Sequence, residues 1–517
     1  MPMQCAHAYR NSQKQCPHEA EGDSSLCRWH AKRDDKSFDG EDLTGYDLEE
    51  AYLSGASLKG AVLREAVLDD ALLDGAVLEN ADMSGASGHN ASFLHAQMRG
   101  VKAVGARLKH ARFEEAILAN CDFDRADLSW GSFKKALLPG TTLRQATLLD
   151  ATFEDATLLR ASLEKATLRG AVMDRADLQI ADLRGADLRG ATMREANLRG
   201  ADLRGADLKY AVLEETVLSN ANLQKADLAR SQLGGTLAQS ANLKGTNLRE
   251  ADLHDVNFAQ ANLERANLRG AMLNGANFDN ALLNDTDLFN AKIEEVRNLR
   301  YATMKSTQIT EHLADTDRAA GNHVSALKRY DEAIATYIAL KNHFNKEGLY
   351  DKSGEFYIME WKTKAKLQST ATHLESEQLR ANRFVPYYLP HAYTHVESRF
   401  FPLILKGEAV MKLAFNRGLY YFSKYGESPF RVLATSLLIM GVYALIFWTT
   451  GAITRGEPVY APTFMESLYF SVVTFTTLGY GDYHPKSAYQ TLAVSEALIG
   501  AFILAFFVVV VSRRLVR

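Results

Sequence analysis

The residues with the clearest potential for chemistry lie at 476–482 and read TTLGYGD. Gly479 and Gly481 alternate with larger residues, and glycine permits backbone dihedrals that other residues avoid. Such dihedrals let successive carbonyl oxygens face one axis. The result is a cage of weak oxygen dipoles, which is the environment that a dehydrated cation needs. The stretch therefore predicts an ion-binding backbone.

A second group of candidate ligands lies close to the N-terminus and comprises Cys5, Cys16, Cys27 and His30. In a reducing compartment this grouping favours a metal site over a disulfide framework. Three thiolates and one imidazole would complete a tetrahedral structural zinc site, which could stabilise a knob formed by residues 1–36. His7 and His18 are competing ligands, and free cysteines are the alternative.

Two long apolar runs flank TTLGYGD, at residues 432–450 and 489–511, and each could cross a bilayer. Between them, residues 465–475 predict an apolar helix that is too short to span a membrane. The predicted order is therefore span, short helix, glycine-rich loop and span. A non-helical backbone at membrane depth is tolerated where it is buried in protein and lines a pore.

This order, together with TTLGYGD, resembles the two-transmembrane potassium-channel pore family over residues 428–517. The resemblance implies a potassium-selective pore in which each of four chains contributes one filter strand. It assigns the filter to Thr477, Leu478, Gly479, Tyr480, Gly481 and Asp482. By the same resemblance the first four lend carbonyl oxygens, Thr477 adds its hydroxyl, and the Tyr480 ring packs against the pore helix. The alternative is that the glycine-rich stretch is an exposed turn between two anchoring helices.

Three further residues of the pore region have two interpretations each. Glu496 is the one charged residue of the second apolar run, and it either faces a cavity that attracts cations or is hydrogen-bonded behind the filter. Gly500 resembles a gating hinge, but a small residue also permits close helix packing. Asp482 either bonds Tyr469 or is solvated.

Orientation follows from the basic residues that flank the apolar runs. Those before the first run and after the second are Lys406, Lys412, Arg417, Lys424, Arg431, Arg513, Arg514 and Arg517. The loop between the runs has only Arg455 and Lys486. We therefore expect a multi-pass protein of the inner cell membrane with both termini in the cytoplasm.

Most of the chain before residue 300 repeats with a period of five. A large apolar residue recurs through 51 consecutive pentapeptides from Leu43 to Ile293, with small residues at Gly88, Ala103 and Ala238. A period of five fits neither a helix nor a straight strand, so the chain must bend once per repeat to keep these residues inside. Glycine at the fifth position suits the bend, and alternating alanine and leucine fill a narrow interior.

The pattern resembles the pentapeptide-repeat family, which implies a right-handed four-sided β-helix over residues 37–300. Four repeats per coil would give about 13 coils and a rod of roughly 60 Å at ~4.8 Å per layer. The overall charge of −4 says little about partners. The carboxylates that lie two residues before basic residues at 184–209 predict a self-paired surface, so no nucleic acid partner is expected.

Two segments connect the repeats to the pore. Residues 315–380 have helical periodicity and predict a hairpin of helices at 324–345 and 352–374, with Gly348 as a helix stop. Residues 384–431 are aromatic and basic, which favours an amphipathic segment on the cytoplasmic membrane surface. The alternative is an ordinary amphipathic helix packed on the hairpin.

Taken together, these features predict a multidomain, bacterial-type, homotetrameric potassium channel with a cytoplasmic β-helix that has a scaffold or gating role. The alternative is a membrane-anchored interaction scaffold without significant conduction. The expected ions are permeant K⁺ and a structural Zn²⁺, and the expected partners are other copies of the chain, the lipid bilayer and an unknown cytoplasmic ligand. The sequence has no phosphate-binding loop and no nucleophile with a matching base, so no enzymatic activity is expected.

Overall fold

The computed structural model describes residues 4–9, 15–20, 25–32, 36–304, 309–380, 428–456, 460–479 and 481–515. The chain divides into two compact units, Met1–Ile309 and Thr310–Arg517. Tyr480, Arg517 and most of the aromatic, basic segment predicted at 384–431 lie outside the described residues, as do the side chains of Arg513 and Arg514. The predictions for these residues remain predictions.

The first unit is a stack of coils joined by parallel β-bridges. One bridge forms at every fifth position and joins positions about 20 apart, from Ser37↔Ser57 to Leu282↔Thr303. Each coil therefore contains four pentapeptides, as the resemblance to the pentapeptide-repeat family implies. Hydrogen bonds run between coils in both directions: the Leu43 amide donates to the Val62 carbonyl at 2.7 Å, and the Val62 amide donates to the Glu41 carbonyl at 2.9 Å. Every regular coil thus shares its backbone polar groups with its neighbours.

A left-handed residue forms the corner of each pentapeptide. Glycine occupies some corners, for example Gly55 with φ of 69°, but many corners hold larger residues in the same conformation, and Ile180 has φ of 58°. Left-handed backbone is unfavourable for a β-branched residue. The coil imposes it because the alanine and leucine positions on either side of a corner are buried and hydrogen-bonded between layers.

Four of the basic residues at 184–209, namely Arg184, Arg189, Arg204 and Lys209, pair with carboxylates in their own repeats, whereas Arg194 pairs with Asp174 and Glu214 of the neighbouring coils. Arg184 binds Asp182 at 2.6 Å, and Arg204 binds Asp202 at the same distance. Both arginines are nearly half exposed, so each pair contributes little to stability. The pairing nevertheless neutralises this face locally, in agreement with the predicted self-paired surface.

A stack of phenylalanine rings fills part of the β-helix interior. Phe93, Phe113, Phe133 and Phe153 occupy the same position in four successive coils, and neighbouring ring centroids are 4.9, 4.8 and 4.7 Å apart with nearly parallel planes. All four side chains are fully buried. The four-repeat coil thus places the same side of each layer in register with the next.

The second unit begins with three helices: α1 (Ile309–Ala319), α2 (His323–Lys346) and α3 (Tyr350–Arg380). Gly348 lies between α2 and α3 with φ of 71°. The predicted hairpin is thus incomplete, because α1 also belongs to this group. Lys366 on α3 donates to Glu311 at 2.8 Å and to Asp315 at 2.7 Å, both on α1. The buried face of α1 carries Thr310 and Glu311 beside Ala314, and so it lacks the apolar period that reveals α2 and α3.

The rest of the second unit contains three apolar helices. Helix α4 (Pro429–Thr450) and helix α6 (Gln490–Leu515) are long and apolar enough to cross a membrane, whereas α5 (Phe464–Phe475) is shorter. A short antiparallel pair, β1 (Ile453–Thr454) with β2 (His484–Pro485), joins the segments that follow α4 and precede α6. The order α4, α5, loop and α6 is the one that the sequence predicts.

Replacing Phe133 with alanine should lower the free energy of unfolding of the β-helix by about 3–5 kcal/mol, since the change opens a cavity in the middle of the ring stack. Guanidinium titration of the detergent-solubilised protein, followed by circular dichroism, measures the change. The matched control is Leu137→Ala, because Leu137 belongs to the same coil and is 45% exposed. Equal losses in the two variants would contradict the interpretation of the stack as core.

Candidate filter and metal sites

The start of α5 is fixed by a reciprocal cap. The Glu466 amide donates to Thr463 Oγ1 at 3.3 Å, and the Thr463 amide donates to Glu466 Oε2 at 2.8 Å. Tyr483, which follows the glycine-rich loop, donates its hydroxyl to Glu466 Oε1 at 3.1 Å. One carboxylate therefore links the residue after the loop to the beginning of the helix before it. These bonds, above all the one from the Thr463 amide, lower the pKa of Glu466 to about 2.

The glycine-rich loop leaves the end of α5 in an irregular conformation. The Leu478 amide still donates to the Val473 carbonyl at 3.0 Å, but Thr477, Gly479 and Gly481 have φ of 57°, 54° and 76°. The sequence predicts unusual dihedrals at the two glycines, whereas it gives no sign of one at Thr477. Leu478 is 61% exposed and Asp482 is also exposed. The ring of Tyr469 lies edge-on to Tyr483 at 5.9 Å.

Glu496 is fully buried where the three apolar helices meet. Its carboxyl group contacts Ser471 Oγ of α5, and the same hydroxyl lies 2.9 Å from the Met440 carbonyl oxygen of α4. The position favours the interpretation of Glu496 as a carboxyl group hydrogen-bonded behind the filter. Sequence reasoning missed Ser471, although Ser467 and Ser471 lie one helical turn apart on an otherwise apolar helix, and this spacing is a signal for a polar contact.

Gly500 allows α6 to touch the end of α5. A Cβ atom at this position would lie 2.0 Å from the carbonyl oxygen of Phe475, far inside van der Waals contact. The backbone of Gly500 thus packs directly on the last residue of α5, immediately before the loop. Of the two interpretations of Gly500, this geometry supports close packing.

The four candidate metal ligands come together beside the first coil. The ligand atoms of Cys5, Cys16, Cys27 and His30 all lie within 4.8 Å of one another, and all four residues are buried. Cys16 Sγ is 3.7 Å from Cys27 Sγ, and Cys27 Sγ is 3.1 Å from His30 Nδ1. A tetrahedral zinc ion with Zn–S bonds of about 2.3 Å requires separations close to these.

Groups around the cluster suit a metal site. His30 Nε2 lies 3.0 Å from the Glu49 carbonyl oxygen, which as an acceptor selects the tautomer that leaves Nδ1 free as a ligand. The competing histidines have other contacts: His7 Nε2 meets the Glu50 carboxylate at 3.2 Å, and His18 Nε2 meets the Asp47 carbonyl oxygen at 2.6 Å. Without a metal, burial raises the pKa of the Cys16 thiol to about 12, so zinc binding at neutral pH would release a proton.

The Gly500→Ala variant should be destabilised by about 1–3 kcal/mol, because the added methyl group forces α6 away from the Phe475 carbonyl. The apparent melting temperature in detergent measures this loss. Gly441→Ala is the matched control, since Gly441 lies on α4 with nothing within 4 Å of an added Cβ. Indistinguishable melting temperatures for the two variants would show that α6 does not need a glycine at position 500.

The Glu466→Gln variant tests the cap through its pH dependence. The pKa of Glu466 is depressed in the folded protein, so its charge stabilises fully above the ordinary value of 4.5, and this stabilisation is lost as the pH falls toward about 2. The difference in melting temperature between wild type and variant should therefore shrink below the ordinary pKa. Glu355→Gln, at an exposed position of α3, should show no such change. A difference that stays constant over the whole range would rule out the assigned role.

Models of known protein families match both halves of the chain. A family model described as ion channel matches residues 431–517. The pentapeptide-repeat model matches eight times within residues 42–290. No curated protein matches the chain.

Three solved pentapeptide-repeat structures are similar to parts of the chain. HetL of the cyanobacterium Nostoc sp. strain PCC 7120, involved in heterocyst differentiation regulation, is 28% identical over 47% of this chain and 88% of its own, with a TM-score of 0.21. A protein of the Arabidopsis thaliana thylakoid lumen is 34% identical, and the match covers 18% of this chain and 65% of that protein, with a TM-score of 0.18. Rfr23 of the cyanobacterium Cyanothece 51142 is 32% identical, and the match covers 22% of this chain and 63% of Rfr23, with a TM-score of 0.17.

The repeat matches coincide with the regular bridges between successive coils, and the ion-channel match covers the three apolar helices from Arg431 onward. The chain therefore joins a pentapeptide-repeat region to a two-transmembrane domain of the ion-channel family.

Proposed function

We propose that the protein is a potassium-selective channel in which four chains surround one pore. The observation that carries the proposal is the TTLGYGD backbone, with left-handed residues at Thr477, Gly479 and Gly481, placed between two apolar helices within the ion-channel match. One chain offers one strand of backbone carbonyls, and a cage around an ion needs several. Four copies around an axis would complete it.

Each of the filter residues has a task in this proposal. The carbonyl oxygens of Thr477, Leu478, Gly479 and Tyr480 would replace the water molecules around the ion, and the Thr477 hydroxyl would add a ligand at the inner end. Gly481 would continue the left-handed backbone, and Asp482 would lie at the outer mouth. Glu496 and Gly500 would then act as positioning residues, since they contact Ser471 and Phe475 of the helix that ends at the filter.

Apolar surface on the long helices is consistent with lipid and with neighbouring subunits. In the single chain, large apolar side chains are exposed on both helices: Leu438 on α4 is 67% exposed, and Phe502 on α6 is 69% exposed. We place these helices in the inner cell membrane with both termini in the cytoplasm, on the basis of the basic residues that flank them. The repeats would then form a cytoplasmic right-handed β-helix with a scaffold or gating role.

Flux measurements test the proposal directly. Purified protein in liposomes should conduct K⁺ far better than Na⁺, and Gly479→Ala should abolish K⁺ flux. Alanine at φ of 54° costs roughly 1–2 kcal/mol in each chain, and the cost recurs in every subunit. Gly441→Ala is the control, because an added Cβ there meets no neighbour, and this variant should retain flux.

A wild-type protein that passes neither ion, or both equally, would overturn the selective channel. Loss of both fluxes with an intact tetramer would favour the alternative, a membrane-anchored repeat scaffold. Chemical cross-linking of the same liposomes gives the subunit number, and a species other than a tetramer would contradict the four-chain pore.

A further inference from the structure

The first coil of the β-helix, residues 37–56, has no regular coil before it. In the next coil, the Val67, Asp69 and Leu72 carbonyls accept bonds from the amides of Leu48, Glu50 and Leu53. The Leu72 amide donates back to Ala51. The equivalent groups of the first coil are the Asp47, Glu49 and Tyr52 carbonyls and the Tyr52 amide. Left open, they would form an edge on which another strand or coil could pair.

The segment that carries the metal cluster supplies partners for these groups. We call its described residues, 4–9, 15–20 and 25–32, the N-terminal cap. The Tyr52 amide donates to the Trp29 carbonyl at 2.8 Å. His18 Nε2 and His30 Nε2 lie 2.6 and 3.0 Å from the Asp47 and Glu49 carbonyl oxygens. The Tyr52 carbonyl accepts from Lys36 Nζ, just beyond the cap.

The cap also covers the apolar interior at this end. Trp29 is almost fully buried and stacks on Phe38, the first large residue of the repeat core, with ring centroids 4.7 Å apart. The cap thus replaces both the hydrogen bonds and the packing that a preceding coil would provide. Terminal repeats of stacked proteins need such a replacement, because each coil is stabilised by its neighbours.

Two contacts connect the cluster to these bonds. His30 belongs to the cluster through Nδ1 and to the first coil through Nε2, so a metal on Nδ1 would hold the proton on Nε2, where it is donated to Glu49. The His18 amide lies 3.5 Å from Cys16 Sγ, while the His18 ring reaches the coil. A metal would therefore fix both imidazoles that close the edge.

We propose that a zinc ion bound by Cys5, Cys16, Cys27 and His30 locks the N-terminal cap onto the first coil and closes the open edge of the β-helix. The short cap has few apolar residues of its own, and metal binding can provide the folding free energy that such a segment lacks. This inference is independent of ion conduction, and its test does not use flux.

The first measurement is the zinc content of the full-length, detergent-solubilised protein by mass spectrometry. Wild type should contain one zinc ion per chain, and Cys16→Ser should lose it. The matched control is Cys121→Ser: Cys121 is a buried free cysteine within the repeats whose thiol donates to the Met98 carbonyl, a bond that serine can keep. Wild type without zinc, or Cys16→Ser with full zinc, would overturn the proposal.

The second measurement is hydrogen exchange before and after removal of zinc from wild type with a chelator, which avoids any variant that fails to fold. Within residues 42–53, the Tyr52 amide donates to the Trp29 carbonyl of the cap, and it should exchange about tenfold faster without zinc, since the loss of one hydrogen bond removes protection of this order. Peptides that cover 202–213 should not change, and added zinc should restore protection. Unchanged exchange at 42–53, or an equal increase at both places, would show that the metal does not hold the cap on the first coil.

Discussion

Backbone amides and carbonyls that leave water have to find new partners, and both halves of this chain are organised around that requirement. In the repeats many of these partners lie in the neighbouring coil, whereas the amides of the alanine positions bond within their own turn, as Ala51 does with Leu48. In the apolar helices the partners lie within the same helix. Regular pairing stops, among other places in the described part of the chain, at the first coil and at the loop after α5, and candidate ligand residues gather at both. At the first coil, side chains cover the Asp47 and Glu49 carbonyls, and at the loop the proposed channel would use backbone carbonyls to bind an ion.

The helix before the loop is held at its beginning, middle and end. Glu466 caps its first turn and binds Tyr483, Ser471 connects its middle to α4 and α6, and Gly500 lets α6 press on its last residue. Each contact uses a different physical means, namely a charge-assisted bond, a buried polar contact and steric fit. In the proposed channel, the carbonyl positions of this loop would decide which ion is bound, so the support of the loop would have to hold them within about 0.5 Å.

Much of this organisation could be predicted because it depends on periodicity and on short motifs. The five-residue period dictates one bend per repeat, and the four scattered ligands need only their chemical type to suggest a common metal. The sequence could not reveal left-handed corners at residues such as Ile180, because the stacking of coils overrides local preference there. The sequence also gave no sign of α1, because the buried face of this helix is polar, or of the unusual dihedral of Thr477. The contact between Ser471 and Glu496 joins residues on different helices, and only the packing of those helices brings them together.

The stack of phenylalanines, with one ring in each of four coils, has a consequence for how such a rod can change in length. Removal or insertion of one whole coil keeps every later side chain on the face it had before. Removal of a single pentapeptide instead turns all that follows by a quarter of the circumference, so that Phe153 would no longer continue the column that starts at Phe93. Length in this β-helix is thus free to vary in steps of one coil, whereas smaller steps also change the direction in which each surface residue points.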